Sequence, residues 1–70
     1  MDQEIKIKDF YGRIKGTIIV KPNGDKLVKD FYGRILGDYK AGMDVTRDFY
    51  GRIIAKGDAA ASLIDLNSNN

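Results

Sequence analysis

The sequence predicts a mainly β protein: an antiparallel meander of three repeated hairpins, followed by a short C-terminal helix. Three observations predict this fold. The hexapeptide Asp-Phe-Tyr-Gly-Arg-Ile occurs three times, at residues 9–14, 30–35 and 48–53. Turn signals containing glycine separate short segments rich in Ile, Val, Thr and Tyr, which favour strands. The segment after the third copy is instead rich in alanine, which favours a helix.

The spacing of the copies indicates how the chain is divided. Seventy residues are enough for one domain, and consecutive copies lie 21 and 18 residues apart, which is room for two strands and two turns. The chain is therefore expected to be a single domain made of repeat 1 (about 5–22), repeat 2 (about 26–42), repeat 3 (about 44–57) and a tail (58–70).

Each copy of the motif is predicted to form a hairpin loop of three residues. Its Asp can accept a hydrogen bond from a backbone amide two residues later, and its Gly can adopt the left-handed conformation that completes a type I turn with a G1 bulge. A second set of turns, at Pro22–Asp25 and Lys40–Met43, would join the hairpins. The predicted strands lie near residues 4–9, 13–20, 26–30, 34–39, 44–48 and 52–56.

The tail and the apolar positions predict the core. Asp58 is a suitable N-cap for a helix that runs to Leu66, and a frayed end is expected at Asn67–Asn70. The core is expected to contain the apolar residues around each motif. The Phe of each motif is expected to pack over the neighbouring hairpin, and the Tyr is expected to pack there in part. The expected core residues are Ile7, Ile14, Val28, Ile35, Leu36, Ile53, Ile54, Phe10, Phe31 and Phe49.

Two arrangements of the hairpins are compatible with the sequence. Closure around a pseudo-threefold axis would remove the exposed sheet edges, and the small residues Gly16, Gly37 and Ala55 would relieve crowding at that axis. An open meander capped by the tail helix is the alternative. The closed arrangement is the favoured prediction.

The repeated turns also carry a resemblance. The tandem Asp-x-x-Gly-Arg turns resemble the short hairpin repeats of bacterial β-flower proteins, and small bacterial reading frames of unassigned function that contain Asp-Phe-Tyr-Gly-Arg. They are more loosely similar to the Tyr-Asp repeats of large bacterial shell proteins. The resemblance covers residues 5–57, with three copies where the flower has four. It implies a small β-repeat domain of bacterial origin with no catalytic residues to carry over.

The composition argues against an enzyme. The chain has no cysteine and no histidine, which excludes the common zinc ligand sets and every histidine-based catalytic triad. Each repeated Asp has a turn role beside an Arg, which would keep it ionised. We therefore expect no catalytic residue, no metal and no cofactor. No apolar stretch approaches a membrane span, and a soluble, cytoplasmic protein without a membrane partner is expected.

Binding is the remaining class of function, and two forms of it stay open. Residues 3–56 contain all twelve basic residues but only seven of the ten acidic ones, a mild preference for anionic partners. The first form is a protein-interaction or structural module that binds a protein partner or itself. The second is a binder of nucleic acid or another polyanion. The candidate binding residues are Tyr11, Tyr32, Tyr50, Arg13, Arg34, Arg52, Lys8, Lys29 and Arg47.

Overall fold

Over the residues that the structure describes, the chain forms one sheet of six antiparallel strands with one helix packed on one face. A computed structural model describes the backbone of residues 2–68 and the side chains of residues 2–65. Neighbours in sequence are neighbours in the sheet, so the strand order is β1-β2-β3-β4-β5-β6. The elements are β1 (Gln3–Lys8), β2 (Ile14–Val20), β3 (Lys26–Asp30), β4 (Ile35–Lys40), β5 (Val45–Asp48), β6 (Ile53–Lys56) and α1 (Ala60–Ser68).

The predicted turn with a G1 bulge is confirmed in all three motifs. In the first, the Gly12 amide donates to the Asp9 carbonyl over 3.0 Å and the Asp9 amide donates to the Arg13 carbonyl over 2.8 Å. Gly12 has a φ of +83°, a conformation that glycine adopts at no steric cost. The other two loops have the same bonds and the same positive φ. The repeated hexapeptide is therefore a repeated hairpin turn.

The bulges decide which face of the sheet each side chain occupies. In the first hairpin Ile7 lies opposite Gly16, whereas Lys8 lies opposite Ile14, so Lys15 is the extra residue. Lys15 forms an ion pair with Asp65 of the helix, so it lies on the helix face. In β1, Ile7 packs against the core under the helix, so the next residue, Lys8, and its partner Ile14 lie on the opposite face, which we call the open face.

This shift makes part of the predicted core wrong. Ile14, Ile35 and Ile53 occupy equivalent positions directly before the extra residue of each bulge and are exposed on the open face instead of buried. Ile54 is also exposed. Of the repeated positions, Val28 is fully buried as predicted, and Ile7 and Leu36 are half-buried against the core.

The core is formed mainly by residues outside the motif. It is a cluster of five buried side chains, three of them from the helix: Ile18, Val28, Ala60, Leu63 and Ile64. The helix packs across β2, β3 and β4. It lies above Gly16 and Gly37, where a Cβ would come within 2.9 Å of Ile64 Cδ1 and of Leu63 Cδ1 respectively. The backbone oxygens of Lys29 and Arg47 on the adjacent strands would lie closer still, so the two glycines make room for both the neighbouring strand and the helix, and no axis is involved.

The favoured prediction of a closed ring is wrong, because the sheet is open. In the described chain β1 and β6 are its two edges and do not pair with each other. The tail helix covers one face of the sheet with apolar side chains, so burial of a core does not require closure. The structure has the open meander capped by a helix, which was the alternative prediction.

The start of the helix is fixed by two side chains. Asp58 accepts a hydrogen bond from the Ala60 amide and forms an ion pair with Lys26 of β3. The Thr46 hydroxyl donates to the Gly57 carbonyl and accepts from the Ala59 amide, over 2.8 and 2.9 Å. The helix extends to Ser68, further than predicted, and Asn69 and Asn70 lie outside the described residues.

Candidate binding site at the hairpin tips

The three motif loops lie at the same end of the sheet. In an antiparallel meander alternate connections share an end, and the motifs form the β1–β2, β3–β4 and β5–β6 connections. We call the side chains at this end the tip row. It consists of Phe10, Tyr11 and Arg13; Phe31, Tyr32 and Arg34; and Phe49, Tyr50 and Arg52.

The aspartate of each motif stabilises its own loop. Asp9 Oδ1 accepts from the Tyr11 and Arg13 amides over 2.8 and 2.9 Å, and Oδ2 accepts from Arg13 Nε over 3.0 Å. The same three bonds form around Asp30 and around Asp48, over 2.8 to 2.9 Å. The carboxylates therefore perform a structural task, as the sequence indicates.

These hydrogen bonds keep the tip carboxylates ionised. The Arg13 amide is the main group that lowers the pKa of Asp9 below its ordinary value of 3.8. For Asp30 and Asp48, partial burial raises the pKa, but hydrogen bonds from the amide and guanidinium of the motif arginine outweigh it and the pKa is again lowered. A carboxylate of this kind is not suited to act as a general acid near neutral pH.

The aromatic and arginine side chains of each tip form one small cluster. The Phe and Tyr rings meet edge to face with centroids 5.3 to 5.5 Å apart. The guanidinium carbon lies 5.3 to 5.4 Å from the centroid of the Tyr ring, within cation–π range. The same arrangement occurs three times, so the tips present identical groups in identical local geometry.

The tip row is exposed to solvent. The three tyrosines are 77–78% exposed and the phenylalanines 63–96%. The predictions that the Phe rings are core and that the Tyr rings mainly pack between hairpins are therefore wrong. The rings occupy the two central positions of a type I turn, from which their side chains extend beyond the end of the sheet rather than over its face.

A shallow groove lies between each pair of neighbouring tips. Phe31 of the second tip borders the first groove, together with Gly12, Arg13 and Ile14 of the first tip. The second groove is bordered in the same way by the third and second tips, through Phe49, Tyr50, Gly33, Arg34, Ile35 and Leu36. Two of the exposed isoleucines, Ile14 and Ile35, belong to this surface. Sequence reasoning placed them in the core because it did not predict the second bulge, whose extra residues are Lys15, Leu36 and Ile54.

The predicted basic residues do not form a ring. Lys8, Lys29 and Arg47 lie on the open face, on β1, β3 and β5 of a sheet that does not close. Arg47 Nε and Nη2 donate to the two carboxylate oxygens of Asp38 over 3.2 and 3.1 Å, and this partner raises the pKa of Arg47. Lys8 and Lys29 form no ion pair within the described residues.

The described residues give no sign of two other kinds of site. They contain no cluster of three or more His, Cys, Asp or Glu able to hold a metal ion. None of their helices has the length and apolar character to cross a membrane.

Comparison of the chain with protein-family models, with curated proteins and with solved structures gave no match. The resemblance to flower-like hairpin repeats therefore stays a prediction.

Proposed function

We propose that the protein is a non-catalytic interaction module whose tip row, with the neighbouring isoleucines of the open face, binds a partner protein. One observation carries the proposal: six of the seven aromatic residues of the chain lie exposed at one end of the sheet. Burial of a large apolar side chain contributes about 1.5 to 3 kcal/mol, so exposure of six rings forgoes a large stabilisation.

The fold itself gives no reason for these rings to be where they are. The turn is maintained by Asp and Gly of each motif, and the core is built from β2, β3 and the helix. Clusters of exposed apolar side chains on a small soluble domain are typical of interaction sites, and Tyr and Arg are enriched among the residues that contribute most to protein interfaces.

The charges around the tip row favour a protein partner over a polyanion. Each tip arginine is paired with the aspartate of its own motif, and Arg47 is paired with Asp38. Among the described residues, the neighbouring cations that form no ion pair are then Lys8 and Lys29. Polyanion binders gain affinity from many unpaired cations that displace counterions, and this surface offers few.

The proposal can be tested before any partner is identified. A library of random displayed peptides is selected on the protein, and enriched peptides are measured against a variant with Tyr11, Tyr32 and Tyr50 changed to Ala. The control is a triple Ala variant at the other end of the sheet, with Lys21, Asn23 and Met43 changed.

The expected result is at least a tenfold loss of peptide affinity in the tyrosine variant and none in the control, with both variants folded. Peptides that bind the tyrosine variant as tightly as the unchanged protein would contradict the proposal.

Polyanion binding is the second candidate, because the side chains of the three tip arginines are 75% exposed and each lies over a tyrosine. Exposed rings beside cations can stack bases of single-stranded nucleic acid. Titration with an oligothymidylate at several salt concentrations tests it. Binding that weakens steeply with salt, and that is lost on changing Arg13, Arg34 and Arg52 to Gln, would favour this candidate.

A further inference from the structure

The first and last hairpins lack neighbours that the middle hairpin has on both sides. Phe31 and Phe49 each lie beside the Gly-Arg-Ile segment of the preceding tip and are 63% and 64% exposed. Phe10 has no preceding tip and is 96% exposed. Within the chain, Phe10 therefore lacks the Gly-Arg-Ile segment that lies beside Phe31 and beside Phe49.

A segment of this kind is present at the opposite edge. Ile14 and Ile35 border grooves that also contain the Phe of the next tip, and they are 36% and 45% exposed. Ile53 has no following tip and is 56% exposed. The two edges of the molecule thus carry the two complementary halves of the contact that joins the hairpins inside it.

We propose that the chain binds a second copy of itself head to tail, with β6 of one copy beside β1 of the next and Phe10 of the second over Ile53 of the first. Both strands are sheet edges with unpaired backbone groups. In a meander β6 and β1 run in opposite directions, so the new pair is antiparallel, as β2–β3 and β4–β5 are. The motif loops of both copies then lie at the same end.

The interior junctions fix the register of this contact. Gly16 lies opposite Asp30 between β2 and β3, and Gly37 lies opposite Asp48 between β4 and β5. The equivalent pair between two copies is Ala55 with Asp9. Lys56 then lies opposite Lys8 of the next copy, at the position where Asp38 and Arg47 form an ion pair inside the molecule.

This pair of lysines makes the contact weak and sensitive to salt. Like charges directly opposite each other on neighbouring strands are destabilising, and both lysines are exposed, so salt screens their repulsion. β6 also has only four residues, which limits the number of new backbone hydrogen bonds. Association is therefore expected at high protein concentration and to increase with salt.

The test is sedimentation velocity over a wide range of protein and salt concentrations, with Lys56→Asp as the decisive variant. This change restores the charge pair of the interior junction and should strengthen association at low salt at least tenfold. Lys21→Asp, which makes the same charge change on an exposed loop, is the matched control and should have no effect. Adding Phe10→Ser to Lys56→Asp should reverse most of the gain.

Three outcomes would overturn the proposal. The first is a Lys56→Asp variant that stays monomeric throughout. The second is association that Lys21→Asp promotes equally or that Phe10→Ser leaves unchanged. The third is assembly that stops at a dimer, because a head-to-tail contact leaves one edge open and continues beyond two copies unless it closes into a ring. Each result is independent of the tyrosine variant above, so either proposal can fail while the other stands.

Discussion

Truncation of one helix side chain, Ile64→Ala, should come close to unfolding the protein. Ile64 is fully buried at the centre of a five-residue core, and it lies directly above Gly16. The change removes three carbon atoms from that core. At about 0.8 kcal/mol for each buried methylene the lost transfer free energy is about 2.4 kcal/mol.

A cavity term adds to this loss. Gly16 has no side chain that could move into the space, and its backbone is held by pairing with β1 and β3. The total should therefore lie near the middle of the range of about 2 to 5 kcal/mol seen for Ile and Leu truncations. A domain of 70 residues has a stability of only about 3.5 to 10 kcal/mol, so the variant retains little of it.

The assay is urea unfolding followed by circular dichroism. Ser62→Ala is the matched control: it lies on the same helix, is exposed, and should change the free energy of unfolding by less than about 0.5 kcal/mol. An Ile64→Ala variant as stable as Ser62→Ala would show that the helix does not supply the core of the protein.

Three further predictions concern the tips and turns. Gly33→Ala should lower the free energy of unfolding by about 1 kcal/mol, whereas Gly42→Ala should not. Both sites have open space for a Cβ, but only Gly33 has a positive φ, and thermal unfolding of the two variants tests the difference. Since hydrogen bonding lowers the pKa of the three tip aspartates below 3.8, the unfolded chain binds more protons in acid. The stability that these aspartates contribute should be present above about pH 5 and be lost as the pH falls below about 4. A variant with all three changed to Asn should therefore lose less stability on acidification than the unchanged protein, measured as the shift of the urea midpoint. Changing the three tip tyrosines to Ala should leave the melting temperature within a few degrees of the unchanged protein, since the rings are exposed; a loss of about 10 °C would mean that they pack.

Local chemistry made the strands and turns predictable. Asp, Gly and the flanking β-branched residues specify a turn with a G1 bulge through contacts within five residues of sequence, and all three turns form as predicted. The helix was predictable for the same reason, because its N-cap at Asp58 and its alanines are local signals.

The predicted core was partly wrong because a bulge changes which face of the sheet the side chains of each strand occupy. The extra residue that follows Ile14 interrupts the alternation of faces along β2, so Ile14 lies on the open face although Gly16 and Ile18, two and four residues later, face the helix. The sequence predicts the G1 bulge at each motif Gly but not this second bulge, and the side on which the tail helix packs is set by tertiary contacts such as Ile64 on Gly16. Whether the sheet stays open or closes also depends on the contacts between helix and sheet, which the repeats alone do not specify.

The position of the repeated residues is unusual for a repeat protein. In most repeat architectures the positions shared by all copies form the continuous core. Here the core is formed mainly outside the repeated hexapeptide, by residues such as Ile18 of β2 and Leu63 of the tail helix, whereas the hexapeptides lie at the tips and on the open face. Asp and Gly of the motif are required by the turn, and Arg supports the Asp. Phe, Tyr and Ile are required by neither turn nor core, and the binding proposed above would account for their presence in all three copies.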